Sequence, residues 1–257
     1  MTIINTGIFI VTRMSDEVPL IVERDGEALM LSLNNTQKKN ALTSEMMGAL
    51  SGILADVKNY DGLRVIVIKG NGTVFCSGAD INAWNPEELQ KLLFSLSDCP
   101  VPTIAHVHGV CFGGGMGLAS ACDFVIAEEG TKFGFPEVKI GMIPAVISPY
   151  VSRKMSISRM RELFITGESF GTRQAYDFGF LYTLDSDIEK LMVKIIKGAP
   201  LAQSFIKKLL SEEVDKDYID ERDSHLAELI TQIREGSEGQ EGMAAFLQKR
   251  PPSWSKE

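Results

Sequence analysis

The stretch from Thr103 to Pro144, TIAHVHGVCFGGGMGLASACDFVIAEEGTKFGFPEVKIGMIP, decides how this chain folds. Its opening, Thr103 to Val110, is apolar, rich in β-branched residues and too short for an independent helix, so it reads as a buried strand. Gly109 and the triplet Gly113-Gly114-Gly115 follow, and Met116 to Cys122 then offers small residues at spacings that let a helix pack close to its neighbours. Consecutive glycines cost chain entropy and are expected where a side chain would obstruct an unusual backbone conformation or an approaching ligand. The helix that starts here presents unpaired N–H groups, which favour negative charge at its N-terminus. The same pattern also serves as a tight turn that brings a helix close, so the stretch alone leaves both readings open.

Upstream, the runs PLIVER and ALMLSL flank Asp25-Gly26, a dipeptide typical of a two-residue hairpin. A polar loop, NNTQKKNALTSEM, leads to a helix with Thr43 as N-cap and Met46, Met47, Leu50, Ile53, Leu54 and Val57 on one face. Arg64 to Lys69, RVIVIK, is a near-continuous apolar strand of the kind buried on both faces of a parallel sheet. In TVFCSGADI, Gly78 precedes Ala79 and Asp80, and Asp80 is placed to cap the backbone N–H groups after it. Pro86 opens a helix that ends before Pro100 and Pro102.

Downstream, from about Ile188, the pattern is almost wholly helical. One helix carries Leu191, Ile195 and Ile196, a second spans Pro200 to Leu210, and a third spans Tyr218 to Arg234. Gly236, Gly239 and Gly242 break the last of these before a short closing helix, MAAFLQKR. These segments look like an appendage that packs on the main body or on another subunit. We therefore divide the chain into an N-terminal extension (1–17, of which 1–13 is set aside from the fold), an α/β core (18–190) and a C-terminal helical region (191–257).

Composition narrows the functions. The chain has 257 residues, 44% of them hydrophobic, and no window approaches the run of about 20 apolar residues needed for a membrane helix. Its 26 Lys and Arg against 34 Asp and Glu give a formal charge of −8 with no basic cluster, which argues against nucleic acid and leaves room for an anionic small molecule held locally. Cys76, Cys99, Cys111 and Cys122 lack CxxC spacing and are expected to be free, buried thiols in a reducing cytoplasm. His106 and His108 have ligand-like spacing on a strand but no placed Cys, Asp or Glu partner, so no metal is expected. Asp123 and Glu128 read as solvated surface charge, with a supporting role near the site as the alternative.

Two glycine-flanked turns, around Ala79 and Gly114, are each able to aim one backbone N–H into a shared cleft and form an oxyanion hole for a carbonyl that acquires charge. An acid/base group is then needed at the α-carbon. Glu137, in FGFPEVKIG, follows an apolar run and Pro136, surroundings that desolvate a carboxylate, although an acidic residue after Pro is also common in a helix first turn.

Taken in order, LNNTQKKNAL, FCSGADI, HGVCFGGGMGLASACD, FGFPEVKIGMIPAVISPYV, ITGESF and EGMAAFLQKRPPSW resemble the crotonase (enoyl-CoA hydratase/isomerase) superfamily, over roughly residues 18 to 254. The resemblance implies a spiral of ββα units with a C-terminal helical oligomerisation region, assembled as a homotrimer or dimer of trimers. It implies an acyl-CoA thioester as substrate and no cofactor beyond the CoA the substrate carries. Residue by residue, Ala79 and Gly114 match the oxyanion-hole donors and Glu137 the proton-transferring glutamate. Asp80, Ile81 and Asn82 match the substrate-contacting run. Lys38 and Ala41 match the loop at the nucleotide end, and Phe246 and Lys249 match the terminal-helix residues that reach CoA.

The chain departs from the family's usual pattern where many hydratases carry a second glutamate, for that position is Gly117. A single base that shuttles a proton between two carbons suits a double-bond isomerase, whereas IPAVISPYV with Gly117 resembles members that hydrate branched or carboxylated enoyl-CoAs. The sequence reading therefore puts an enoyl-CoA hydratase first, an isomerase second and a non-catalytic thioester-binding protein third. Asn35 and Thr36 replace the usual Arg-Pro, and Asn82 a common lysine.

Overall fold

The structure, a computed structural model, describes residues 2–4, 8–10, 19–83, 85–212, 227–228 and 230–253. Strands β1 (Thr2–Ile4), β2 (Ile8–Ile10), β3 (Leu20–Asp25) and β4 (Ala28–Leu33) form an antiparallel ladder. Segments of the leading residues set aside from the fold thus pair with its edge. The hairpin after Asp25 closes on an Asp25–Ala28 pair, so Gly26 and Glu27 make the turn rather than Asp25 and Gly26, and Gly26 takes the positive φ of +55°.

From β4 the sheet turns parallel. Helix α1 (Ser44–Asp56) starts on Thr43, whose side chain accepts from Met46 N, and its apolar face is buried. Strand β5 (Val65–Gly70) pairs in parallel with β4, and helix α2 (Pro86–Ser97) follows it with Asn85 as cap. Strand β6 (Thr103–Val107) lies next to β5, but the expected strand to Val110 ends early. The chain turns at His108 and Gly109, and β7 (Val110–Phe112) enters a second, three-stranded sheet. Apolar Val107 and Val110 flank the corner on both sides, so the composition of the run hides it.

Helix α3 (Gly114–Ala121) follows the glycine turn, β8 (Phe124–Ala127) returns to the large sheet beside β6, and β9 (Lys132–Gly134) joins β7. Each turn of the spiral thus gives one strand to the large sheet, one short strand or bridge to the second, and a helix. The bridges Leu42–Ala79 and Cys76–Cys111 tie the turns together. A 3-10 helix, Pro136–Ile140, carries Glu137. Helices α4 (Ser148–Val151) and α5 (Ile157–Thr166), strand β10 (Ser169–Gly171) and helix α6 (Thr172–Asp177) complete this part.

Helix α7 (Ile188–Ile196) lays Leu191 and Ile195 on the outer face of the large sheet, against Val65, Val67, Ile104 and Ile126. Helix α8 (Pro200–Glu212) follows. Most of the helix expected over Tyr218 to Arg234 lies outside the described residues, although 230–235 are helical. Helix α9 (Ser237–Leu247) runs straight through Gly239 and Gly242, which were expected to break it. At Gly242 a Cβ would sit 2.3 Å from Ile140 O, so this glycine lets α9 lie directly on the turn that carries Glu137. Among the described residues no helix is long and apolar enough to cross a membrane.

Candidate active site

The bridge between Leu42 and Ala79 sets the first donor. Leu42 N–H donates to Gly78 O at 2.8 Å and Asp80 N–H to Leu42 O at 3.1 Å, so Ala79 turns its own N–H to the opposite side. Gly114, the first residue of α3, has an N–H that the helix leaves unpaired, and no described backbone carbonyl takes up either donor. The two groups are neighbours, since a Cβ on Gly114 would lie 3.1 Å from Ala79 N. Gly78 and Gly113 hold φ of +121° and +50°, values that only glycine adopts cheaply, and they aim the pair into one pocket.

That pocket is a cavity of about 160 Å³. Ala79, Gly114 and Glu137 line it together with Ile81, Leu89, Met142, Ile143, Ile147, Met243 and Phe246, and no Lys, Arg or His is among its lining residues. Glu137 is half-buried as a residue, but its carboxylate points inward. Oε2 is shielded from solvent and has no hydrogen-bond partner among the described residues, and Oε1 lies 3.1 Å from where a Cβ on Gly113 would stand. Burial raises its pKa to about 7, outweighing a hydrogen bond from the residue's own backbone N–H. Two converging N–H donors face a carboxyl poised between acid and base, as transfer of a proton next to a carbonyl that gains charge requires.

The position of a second carboxylate is closed. A Cβ on Gly117 would stand 2.3 Å from Ile147 Cγ2 and 3.3 Å from Leu93 Cδ1, and both side chains are buried. Ile147 belongs to the quoted IPAVISPYV run, but its packing against α3 is a long-range contact that no local pattern announces.

The other expected residues divide. Ile81 and Phe246 line the pocket, the latter 56% exposed at its mouth. Asp80 is buried and faces away from the pocket. Its Oδ2 accepts from Lys38 Nζ at 3.0 Å and its Oδ1 from Asn82 N–H at 3.0 Å. Burial pushes the Asp80 carboxyl up, but these bonds outweigh it and hold the carboxyl below its usual range. Asp80 thus caps the turn as expected, and Lys38 clamps its own loop to the Ala79 turn. Asn82 and Lys249 are exposed, and neither they nor Ala41 line the pocket.

The cysteines are free and buried, as expected. His108 Nε2 pairs with Gly72 O at 3.1 Å, and the described residues hold no group of three metal-ligating side chains. Asp123, expected at a solvated surface, instead accepts from Thr103 N at 2.8 Å, Thr103 Oγ1 at 3.0 Å and Lys207 Nζ. The lysine comes from a helix 84 residues away, which is why the sequence hides the arrangement.

The chain matches the model of the enoyl-CoA hydratase/isomerase family over residues 23–257. It is 32% identical to the 2,3-dehydroadipyl-CoA hydratase of Escherichia coli over 91% of this chain and 98% of that one. Among solved structures it resembles an enoyl-CoA hydratase from Mycobacterium avium, with a TM-score of 0.82 and 31% identity over 90% of this chain and 94% of that one. Pseudomonas aeruginosa AtuE is also similar, with a TM-score of 0.72 and 30% identity over 93% and 100% of the two chains. The α/β spiral is thus the crotonase fold, and the chain is an enzyme of the enoyl-CoA hydratase/isomerase family.

Proposed function

We propose that this enzyme adds water reversibly to a 2-enoyl-CoA with Glu137 as its one acid/base group. The observation that carries the reading is the Glu137 carboxyl, buried with Oε2 unpartnered and its pKa raised to about 7, in the same pocket as the Ala79 and Gly114 N–H pair. Ionised Glu137 takes a proton from water as the water oxygen bonds to the β-carbon. The displaced electron pair moves through the α-carbon to the thioester oxygen, which accepts hydrogen bonds from Ala79 and Gly114. The carboxyl then hands its proton to the α-carbon and is ionised again. A pKa near the working pH favours both halves of this exchange.

Among the described residues the lining offers no cation to pair with a second carboxylate, which supports an uncharged acyl group. This differs from the carboxylated substrate in the name of the E. coli relative. In size the cavity resembles the roughly 150 Å³ apolar cavity that takes up benzene, which supports a short or branched chain. Lys38 stands beside the oxyanion turn with a largely exposed side chain, a position suited to the nucleotide end of CoA. The face of α8 with Leu201, Phe205 and Leu209, each at least 60% exposed at successive turns, supports assembly as a homotrimer or dimer of trimers. No cofactor beyond the CoA of the substrate, and cytoplasmic residence, remain parts of this reading.

A second reading rests on Ile147. Because it closes the Gly117 side of the pocket, Glu137 alone, moving a proton from the α-carbon of a 3-enoyl-CoA to its γ-carbon, would act as an isomerase. Turnover of crotonyl-, 3-methylcrotonyl-, 3-enoyl- and 3-methylglutaconyl-CoA in ¹⁸O-labelled water separates the two. Label in the product of an uncharged substrate is the expected result, a shifted double bond without label makes the enzyme an isomerase, and tight binding without turnover makes it a thioester-binding protein.

A further inference from the structure

A larger cavity, about 520 Å³, lies away from the active site, between the end of α3 and helix α8. Its size falls within the range of small-molecule sites, and its walls follow the usual plan of mostly apolar surface with a few convergent polar groups. Ser97 at the end of α2, Ser120 to Phe124, Arg153, Lys154 and residues of α7 and α8 surround it.

The charges there do not balance. Arg153, Lys154 and Lys207 line the cavity against one carboxylate, Asp123, in a chain whose overall charge is −8. Lys207 is already spent on Asp123, whose Oδ2 accepts from Thr103 as well. Lys154 gives one hydrogen bond, to Asp123 O at 2.6 Å, and its remaining donors have no described partner. Arg153 reaches Ser97 Oγ at 2.7 Å and stacks on Tyr150, and no described carboxylate pairs with it. Among the described residues, three cations thus share the one carboxylate of Asp123, whose charge acts on Lys154 as well; Arg153 is exposed, and a half-buried ammonium such as Lys154 gains from a further anion. Opposite them, Ile206 and Leu210 present exposed apolar surface along one side of α8.

We propose that this cavity binds a small amphiphilic carboxylate, its head group held by Lys154 and Arg153 and its apolar tail lying along Ile206 and Leu210. The site binds rather than reacts, because the nucleophile at its wall, Cys122, is kept as a thiol by burial, which pushes its pKa to about 12. Burial also pushes the Lys154 ammonium down, and a bound carboxylate would oppose that effect. The reading is independent of which reaction Glu137 performs.

Titration calorimetry of the full chain with octanoate tests it, with octanol as the uncharged comparison and enoyl-CoA turnover as a second readout. We expect octanoate to bind saturably and octanol about fivefold more weakly, the share of a partly exposed charge pair. Lys154→Met should weaken octanoate by about fivefold and leave turnover unchanged. Leu210→Glu, at a position 64% exposed and therefore harmless to folding, should do the same by placing a carboxylate at the mouth. No saturable binding, equal binding of octanol, or octanoate binding that survives Leu210→Glu unchanged would each overturn the proposal, the last by placing octanoate in the Glu137 pocket instead.

Discussion

Glu137 faces the N-terminus of α3 with Oε2 buried and unpartnered, whereas Asp123 follows the C-terminus of the same helix with Oδ2 accepting from Thr103 N, Thr103 Oγ1 and Lys207. Both are acids near the ends of one eight-residue helix, and their surroundings differ. With Oε2 unpartnered, burial outweighs the one backbone donor, makes the charged form of Glu137 costly and readies the group to carry a proton. With three donors, Asp123 becomes a strut that ties β6, β8 and α8 together, and Lys154 on its carbonyl offsets the negative end of the helix. What separates the acid proposed to carry the proton from the structural one is that Glu137 keeps Oε2 buried and unpartnered, whereas Asp123 meets three donors at a partly exposed position.

The most direct way to break this contrast is Glu137→Gln. We expect kcat/KM for an uncharged enoyl-CoA to fall by about 10³, the scale of losing an acid/base group, while the melting temperature does not fall, because Oε2 has no partner to lose. Retained turnover would show that burial alone did not make this residue the proton carrier.

The same residue gives a pH signature of opposite sign to the usual carboxylate. Its folded pKa, about 7, stands above the unfolded value of 4.5. The folded state therefore holds the proton more tightly, its contribution to stability is complete below pH 4.5, and it is lost as pH rises through 7. Denaturant unfolding of Glu137→Gln and the parent chain should agree near pH 4 and separate by about 3 kcal/mol in favour of the variant at pH 8. A constant difference across that range would mean that the carboxyl is hydrated.

Gly117→Glu tests whether a second acid fits the pocket. With Ile147 Cγ2 only 2.3 Å from the new Cβ, we expect a loss of about 2 to 3 kcal/mol by thermal unfolding and no gain in hydration. Combining it with Ile147→Ala should recover part of the stability. If Gly117→Glu alone folds normally and accelerates hydration, the apolar wall is not what defines the chemistry of this enzyme.

Asp123→Asn probes the other end. It keeps the shape but removes the charge that Lys207 meets, and we expect about 2 kcal/mol of lost stability with turnover within about twofold. A large loss of turnover with stability intact would erase the distinction between the two acids.

These contrasts also mark what the sequence disclosed. The Thr43 cap, the strand RVIVIK and the glycine turn before α3 were legible because cap, period and turn signals act within a few residues. The pocket could be assembled from Ala79, Gly114 and Glu137 because each sits in a local motif. The corner at His108 and Gly109 was hidden between apolar residues, and Gly242 looked like a breaker although it is a contact point on the Glu137 turn. Asp123 looked solvated because its lysine arrives from α8, and Ile147 closes the Gly117 position through packing that no spacing encodes. In each case the missed fact is a contact between distant segments.

The smallest effect expected is at Lys38, and it carries the contrast over to Asp80, the acid beside the oxyanion hole. Asp80 is 7% exposed and Lys38 is 59% exposed, so the pair is anchored at one end and wet at the other. Lys38→Met removes a donor but leaves the Asn82 N–H on Asp80, and the Leu42–Ala79 bridge still sets the turn. A partly exposed pair of this kind is worth up to about 1 kcal/mol, so KM should rise by at most about fivefold with kcat unchanged, and Lys38→Arg should restore it. A fall in kcat instead would mean that the pair holds the Ala79 N–H in its catalytic direction. The partners of Asp80 would then serve the reaction as directly as the unpartnered Oε2 serves Glu137.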